Sequence, residues 1–303
     1  MIQCEKVTLR YKQQTALDQI SFTLKENTIC GILGRNGAGK TSLLALLAAY
    51  RRPTAGTVRL FGEDPYENPQ VMPKVALVCD KNEESNGFKV KELLRLSAAL
   101  RPNWDEAYAQ ALCKRFELPL KKTMSGLSHG QQAAVRVVIG LAGRTPVTIY
   151  DEAYLGMDAA FRKLFISELL EDYMQNPSTI LFSTHYIDEM DRLFGEVILL
   201  DRGRIAAHED CDTLRQKGTS VTGDAQAVDA FAQGREVLSQ RALGTQKEVV
   251  LFGPLTEAER TAAQRSGLAL STPSLQDLFI HMTEKGGHGH EEPYQPTGRR
   301  SAI

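Results

Sequence analysis

No stretch of these 303 residues is apolar for long enough to span a bilayer. The two most hydrophobic runs are "LLALLAAY" (Leu43–Tyr50) and "VRVVIGLAG" (Val135–Gly143). Both fall well short of the roughly 18 apolar residues a membrane helix needs. No C-x-x-C pair occurs either. The five cysteines, Cys4, Cys30, Cys79, Cys113 and Cys211, are odd in number and widely spaced. That excludes a disulfide frame or zinc finger and leads us to expect buried, reduced thiols in a cytosolic protein. Charge of one sign is also missing: the net charge of −1 directs the chain to neither nucleic acid nor an anionic membrane surface. There is no internal repeat, and no targeting segment is expected where a strand-like pattern starts at once.

What is present looks globular. Hydrophobic content is 42% and charged content 24%, ordinary for a soluble fold of one large or two modest domains. "IQCEKVTLRY", "ISFTLKENTICGILG", "GTVRLFG" and "KVALVCD" read as strands. "KTSLLALLAAY" reads as a mostly apolar helix. From about Lys89 the pattern turns helical, with 3.6-residue periodicity in "VKELLRLSAAL" and "EAYAQALCKRFEL". A helix over Gln131–Leu141 leads into the short buried strand of "PVTIYDE". A helix near Ala159–Met174, the strand "STILFSTH", a short helix and the hairpin "EVILLDRGRIAAHE" follow. Strands alternating with helices predict a parallel α/β sheet. Beyond Cys211 the pattern is shorter and more polar. "KEVVLFG", "TEAERTAAQRSG" and "SLQDLFIHMTEK" predict a small α+β appendage over 216–285. Residues 286–303, including His288 and His290, read as a solvated disordered tail.

Three segments carry chemistry. "GRNGAGKT" fits G-x-x-x-x-G-K-[ST] between an apolar strand and a helix. Its residues Gly34, Arg35, Asn36, Gly37, Ala38, Gly39, Lys40 and Thr41, with Ser42, would cradle phosphates through backbone N–H groups and the helix N-terminus. Lys40 would reach the β- and γ-phosphates, and the Thr41 hydroxyl would ligate Mg²⁺. The second segment, "VTIYDE", ends a buried strand on two carboxylates. Asp151 is suited to hold Mg²⁺, and Glu152 to act as general base toward water. The third, "LSHGQQ" (Leu127–Gln132), opens a helix whose free N–H groups form an anion site.

Taken in chain order, as phosphate loop, helical stretch, "LSHGQ" and carboxylate strand, the segments resemble the ATP-binding subunits of ABC transporters, over residues 1 to about 215. The resemblance implies an α/β P-loop NTPase core with an antiparallel β subdomain and a helical insertion at about 89–142, plus the appendage. It implies ATP and Mg²⁺ as ligands. It also implies head-to-tail packing of two subunits, identical or not, so that Ser128, Gly130 and Gln131 close over the neighbour's γ-phosphate. Tyr11 matches the adenine-stacking aromatic, His185 the switch histidine, and Asp158 the loop that crosses the dimer interface. The appendage ending in "PSLQDLFIHMT" resembles exporter-type ATPases of the drug, antibiotic and cell-envelope branch. The expected partner is an integral membrane permease on a separate chain, with this chain peripheral on the cytoplasmic face and no nucleic acid bound. A soluble ABC-type ATPase not engaged in transport is the alternative.

The sequence departs from the family pattern in several places. His129 stands where the family has glycine. Its ring either points away from nucleotide or adds a pH-dependent donor at the γ-phosphate edge. Asp80 stands where a glutamine is usual and would still ligate Mg²⁺ or its water, with added negative charge. Ala133 and Ala134 replace a frequent basic residue, and Ala153, Tyr154 and Leu155 replace Pro-Thr-Ser.

Overall fold

A computed structural model describes residues 2–80, 87–184 and 187–285. The chain opens with β1 (Ile2–Tyr11) and β2 (Gln14–Leu24), followed by β3 (Ile29–Leu33), α1 (Lys40–Leu47), β4 (Ala55–Leu60) and β5 (Val75–Cys79). Helices α2 (Val90–Leu100), α3 (Glu106–Arg115) and α4 (His129–Ala142) come next. Then follow β6 (Val147–Asp151), α5 (Ala159–Gln175), β7 (Thr179–Ser183), α6 (Ile187–Met190), β8 (Glu196–Asp201), β9 (Arg204–Asp210) and α7 (Cys211–Arg215).

Two sheets form the main body. One has the order β5-β6-β7-β3-β8-β9, parallel except for the β8–β9 hairpin, and the other is the antiparallel set β2-β1-β4. Strands β3, β6 and β7 are buried at every position, as parallel strands covered on both faces must be. The period of two sorts their side chains into two cores. Ile29 and Leu33 join the cluster beneath α4 and α5, whereas Cys30 and Ile32 join the one shared with α1, β1 and β2. The cysteines are free, with Cys4, Cys30, Cys113 and Cys211 buried and Cys79 half-buried.

Register brings the site together. Cys79 pairs with Asp151, Asp151 with Ser183, and Ser183 with Ile32. One row across four parallel strands therefore ends at the carboxyl edge of the sheet, where ligand crevices of open α/β sheets form.

The C-terminal part holds β10 (Gly218–Asp224), α8 (Ala225–Ala232), β11 (Val237–Leu243), β12 (Gln246–Phe252), α9 (Glu257–Arg265) and β13 (Ala269–Ser271). Its strands are all antiparallel in the order β11-β12-β10-β13. This is the split β-α-β-β-α-β arrangement, with its own small core of residues including Val221, Val228, Val249, Leu251 and Leu268. The last helix, α10 (Leu275–Lys285), does more than complete this unit. Leu275 and Leu278 join the large cluster beneath α4 and α5.

Sequence and structure differ at particular points. Helix α4 starts at His129 rather than Gln131, because Ser128 caps it. β10, α8, β11 and β13 were not foreseen. His185 and the tail 286–303 lie outside the described residues. Among the described residues, no helix is long and apolar enough to cross a membrane.

Candidate functional site

The loop between β3 and α1 has a shape that only its sequence allows. Gly37 and Gly39 sit at φ 82 and 106, in the left-handed region that costs other residues most. A Cβ on Gly34 would lie 2.6 Å from the Leu200 carbonyl oxygen, and one on Gly39 2.7 Å from that of Ala16. The loop is tied from outside by the β8–β9 turn: Gly203 N–H donates to Ala38 O at 3.0 Å and Asp18 N–H to Gly203 O at 2.8 Å. Helix α1 has no side-chain cap and no acid in its first turn. Its leading N–H groups and dipole therefore face a place suited to an anion.

Lys40 is buried and folds back over the loop. Its Nζ donates to Gly34 O at 2.7 Å and to Arg35 O at 3.2 Å. Burial pulls its pKa below the usual lysine value, while Glu152 and Asp151 pull it back up. A phosphate in the loop would offer this ammonium a full negative charge in place of two carbonyl dipoles.

Lys40 belongs to the wall of a cleft of about 620 Å³, together with Tyr11, Asn36, Thr41, Ser42 and Glu152. Gly37 and Gly39 also line it, whereas Gly34 and Ala38 are buried behind the loop and Arg35 is exposed on it. Tyr11, at the end of β1, is 40% exposed and lines the cleft. The Arg51 guanidinium lies 5.9 Å from its ring centroid.

Behind Glu152, Asp151 closes β6. Its Oδ1 is buried and has no hydrogen-bond partner among the described residues, and the same holds for Ser183 Oγ directly across the sheet. Two neighbouring oxygens without partners are costly in a dry site unless a cation or its water meets them. Oxygen donors of this kind, with the Thr41 hydroxyl in the same cleft, fit Mg²⁺. Glu152 has φ 51, a left-handed backbone for a non-glycine residue. Its N–H is anchored to Ser183 O at 3.2 Å. Such strain persists only where the surroundings impose it, and here it turns the residue after Asp151 into the cleft.

Sequence reading missed part of the wall: Gln14, Thr15, Ala16, Ser183, Arg202 and Gly203. Only the D-R-G turn of the β8–β9 hairpin carries any local signal, and nothing in sequence says that it folds against the phosphate loop.

The remaining predicted residues do not reach this cleft. Ser128 caps α4: its Oγ accepts from Gln131 N–H at 3.3 Å, and Gln131 Oε1 accepts from Ser128 N–H at 3.2 Å. Gly130 packs so closely on the 154–157 turn that a Cβ would lie 2.8 Å from Gly156 O. Asp158 caps α5 through Phe161 N–H at 2.8 Å. Ser128 and Asp158 are exposed and lie apart from the cleft of their own chain.

Asp80, the other residue expected to ligate Mg²⁺, is engaged elsewhere in this structure: its Oδ1 accepts from Arg136 Nη2 at 2.8 Å and lies 3.1 Å from His129 Nε2. A guanidinium buried within α4 needs a carboxylate counter-charge. That draws Asp80 to α4 and off the cleft wall.

Comparison with known proteins agrees with this geometry. The family model described as "ABC transporter" matches residues 17–155. Thiamine import ATP-binding protein ThiQ of Rhizobium meliloti (strain 1021) is 31% identical over 195 residues, 61% of this chain and 79% of that one. Daunorubicin resistance ATP-binding protein DrrA3 of Streptomyces coeruleorubidus is 27% identical over 294 residues, 90% of this chain and 93% of that one. A solved ATP-binding subunit of an ABC transporter superposes with TM-score 0.64 at 22% identity, covering 71% of this chain and 92% of that one. The glycine cradle, the buried carboxylate at the end of β6 and the capped helix at Ser128 thus occur in one chain whose relatives share the same description, and the chain belongs to the ABC transporter family of ATP-binding proteins.

Proposed function

We propose that the chain is the ATP-hydrolysing subunit of an ABC transporter, an exporter, and that it works as a head-to-tail pair on a separate membrane-spanning permease. One observation carries this reading. The phosphate cradle and Glu152 share one cleft, while the capped start of α4 lies outside it, exposed at Ser128. A site with its anion-binding helix start turned away is half a site, and a second copy supplies the other half.

In the assembled site Tyr11 stacks on adenine. The N–H groups from Asn36 to Ser42 bind the phosphates, and Lys40 leaves the Gly34 and Arg35 carbonyls to pair with them. Thr41 and Asp151 would hold Mg²⁺, which supplies positive charge against the phosphate oxygens. Glu152 accepts the proton of the attacking water. Ser128, Gly130 and Gln131 of the neighbour cover the γ-phosphate, with Asp158 at the same seam. His185, outside the described residues, is assigned the γ-phosphate contact by its place after β7.

The exporter reading draws on coverage. The relative named for daunorubicin resistance aligns over 90% of this chain and so takes in most of the appendage; the one named for thiamine import aligns over 61%. Partner and location follow: an integral permease, and the cytoplasmic face of the membrane.

Glu152→Gln tests the reading. The variant is expected to keep ATP binding, lose most turnover, and accumulate as an ATP-dependent dimer in sedimentation velocity. Unchanged turnover, measured with any co-purifying membrane protein present, refutes the assignment of Glu152. An ATP-bound protein that stays monomeric under all conditions refutes the paired site.

A further inference from the structure

The two departures at Asp80 and His129 meet in space. His129 lies in the first turn of α4, and Arg136 lies about two turns further along the same face. Both reach one atom, Asp80 Oδ1, at 3.1 Å and 2.8 Å. Arg136 is 8% exposed, and among the described residues no other carboxylate bonds to it. On its other side the imidazole lies against Gly156, where any Cβ would overlap His129 Nδ1. The ring, 56% exposed, thus lies between Asp80 and the turn that precedes Asp158, in space that glycine at 156 leaves open. Asp80 follows Cys79, which is in register with Asp151.

We propose that Asp80 and His129 form a strut that sets the angle at which α4 presents Ser128 and Gln131 to the neighbouring subunit's triphosphate. Both are positioning residues. Asp80 acts through the helix and not as a ligand of its own chain's cation, and the imidazole is committed to Asp80 rather than to phosphate. The histidine supplies a donor that the carboxylate faces, and the same carboxylate gives the buried Arg136 its counter-charge. The proposal rests on the paired-site reading above.

The test uses the full chain in the Glu152→Gln background, with two readouts for each variant. Binding of a fluorescent trinitrophenyl-ATP to the monomer, with and without Mg²⁺, reports folding and the cleft. Sedimentation in ATP reports pairing. His129→Gly and Asp80→Ala are expected to keep monomer affinity and its Mg²⁺ dependence within about twofold, and to weaken ATP-driven pairing by roughly tenfold or more. The double variant should be no worse than Asp80→Ala alone, since that change already removes the His129 contact. His129→Gln, whose amide N–H can replace the imidazole donor, should recover most of the pairing. The strut is overturned if pairing is unchanged in both singles, if their losses simply add, or if Asp80→Ala alters Mg²⁺ dependence instead. If the Glu152→Gln parent binds nucleotide but never pairs, the paired-site reading itself fails and the strut falls with it.

Discussion

At the scale of single residues, most of the cleft was legible because its chemistry is contiguous. Glycines, lysine and threonine in "GRNGAGKT" stand on one loop, and Asp151 and Glu152 are neighbours. Local spacing alone puts these groups in place. The partners of Asp80 were not legible, since a carboxylate at a strand end looks like a cation ligand until Arg136 is seen buried beside it. Lys40 gives a sharp prediction at this scale. It is a buried ammonium that donates to two carbonyls of its own loop, and the proposed function has it leave them for phosphate. Lys40→Ala is expected to reduce ATP affinity by about two orders of magnitude, as loss of a charge-assisted contact of about 3 kcal/mol implies, with thermal stability little changed. Equilibrium binding and a melting curve on the same sample decide it; a large fall in stability with affinity retained would contradict the role. The depressed pKa of Lys40 adds a pH effect with a definite sign. The proton is lost at a lower pH than from an ordinary lysine, so the affinity of the free cleft should begin to fall on the acidic side of the usual lysine range. A titration of ATP binding through alkaline pH checks this. In the folding balance the same shift acts oppositely: the unfolded chain holds more protons between the depressed and the ordinary pKa, so this group's contribution to stability rises with pH across that window.

At the scale of elements, the strands of the parallel sheet are legible as short, largely apolar runs rich in branched residues, and α2 and α3 by their period. The start of α4 shows where sequence reading stops short. Ser128 and Gln131 were read as ligand groups, yet in the chain itself they form a reciprocal capping box. The two uses are separable. Ser128→Ala should cost about 1 kcal/mol of stability, measured as a shift in urea midpoint. Ser128→Thr keeps the capping oxygen and should restore most of it. If alanine costs nothing, the cap is decorative and Ser128 is kept for the neighbouring subunit alone. Strands β10 and β11 escaped notice for a different reason. "GTSVTGD" and "VLSQRAL" carry few branched apolar residues, and β11 is a largely exposed edge. β10 is internal to its sheet and mostly buried, yet it is built of Gly, Thr and Ser around Val221 and so gives little hydrophobic signal to read.

At the scale of the whole molecule, the question is how the split β-α-β-β-α-β unit is held to the body. Its own core is small, and the link runs through α10. Leu275 and Leu278 are 0% and 1% exposed and belong to the same cluster as Leu214 of α7. On α10's other contacts, Asp277 accepts from Arg241 of β11 at 3.3 Å and from Ser274 Oγ at 2.8 Å. A helix whose leucines lie in the body's core while Asp277 bonds to β11 and Leu278 packs near Gly218 of β10 ties the two parts together, so body and appendage are expected to melt as one. Truncating Leu278 to alanine removes three methyl-sized groups from a closed cluster, a change that costs about 2–5 kcal/mol. For a body of this size that corresponds to a fall of roughly 5–15 °C in melting temperature. Calorimetry of the whole chain is expected to give one transition for the wild type. For Leu278→Ala it should give a main transition lowered by that amount, although the substituted residue lies beyond the last strand of the appendage. If instead the main transition stays in place and only a small early one moves, α10 serves the appendage alone. The body must then be held together without it.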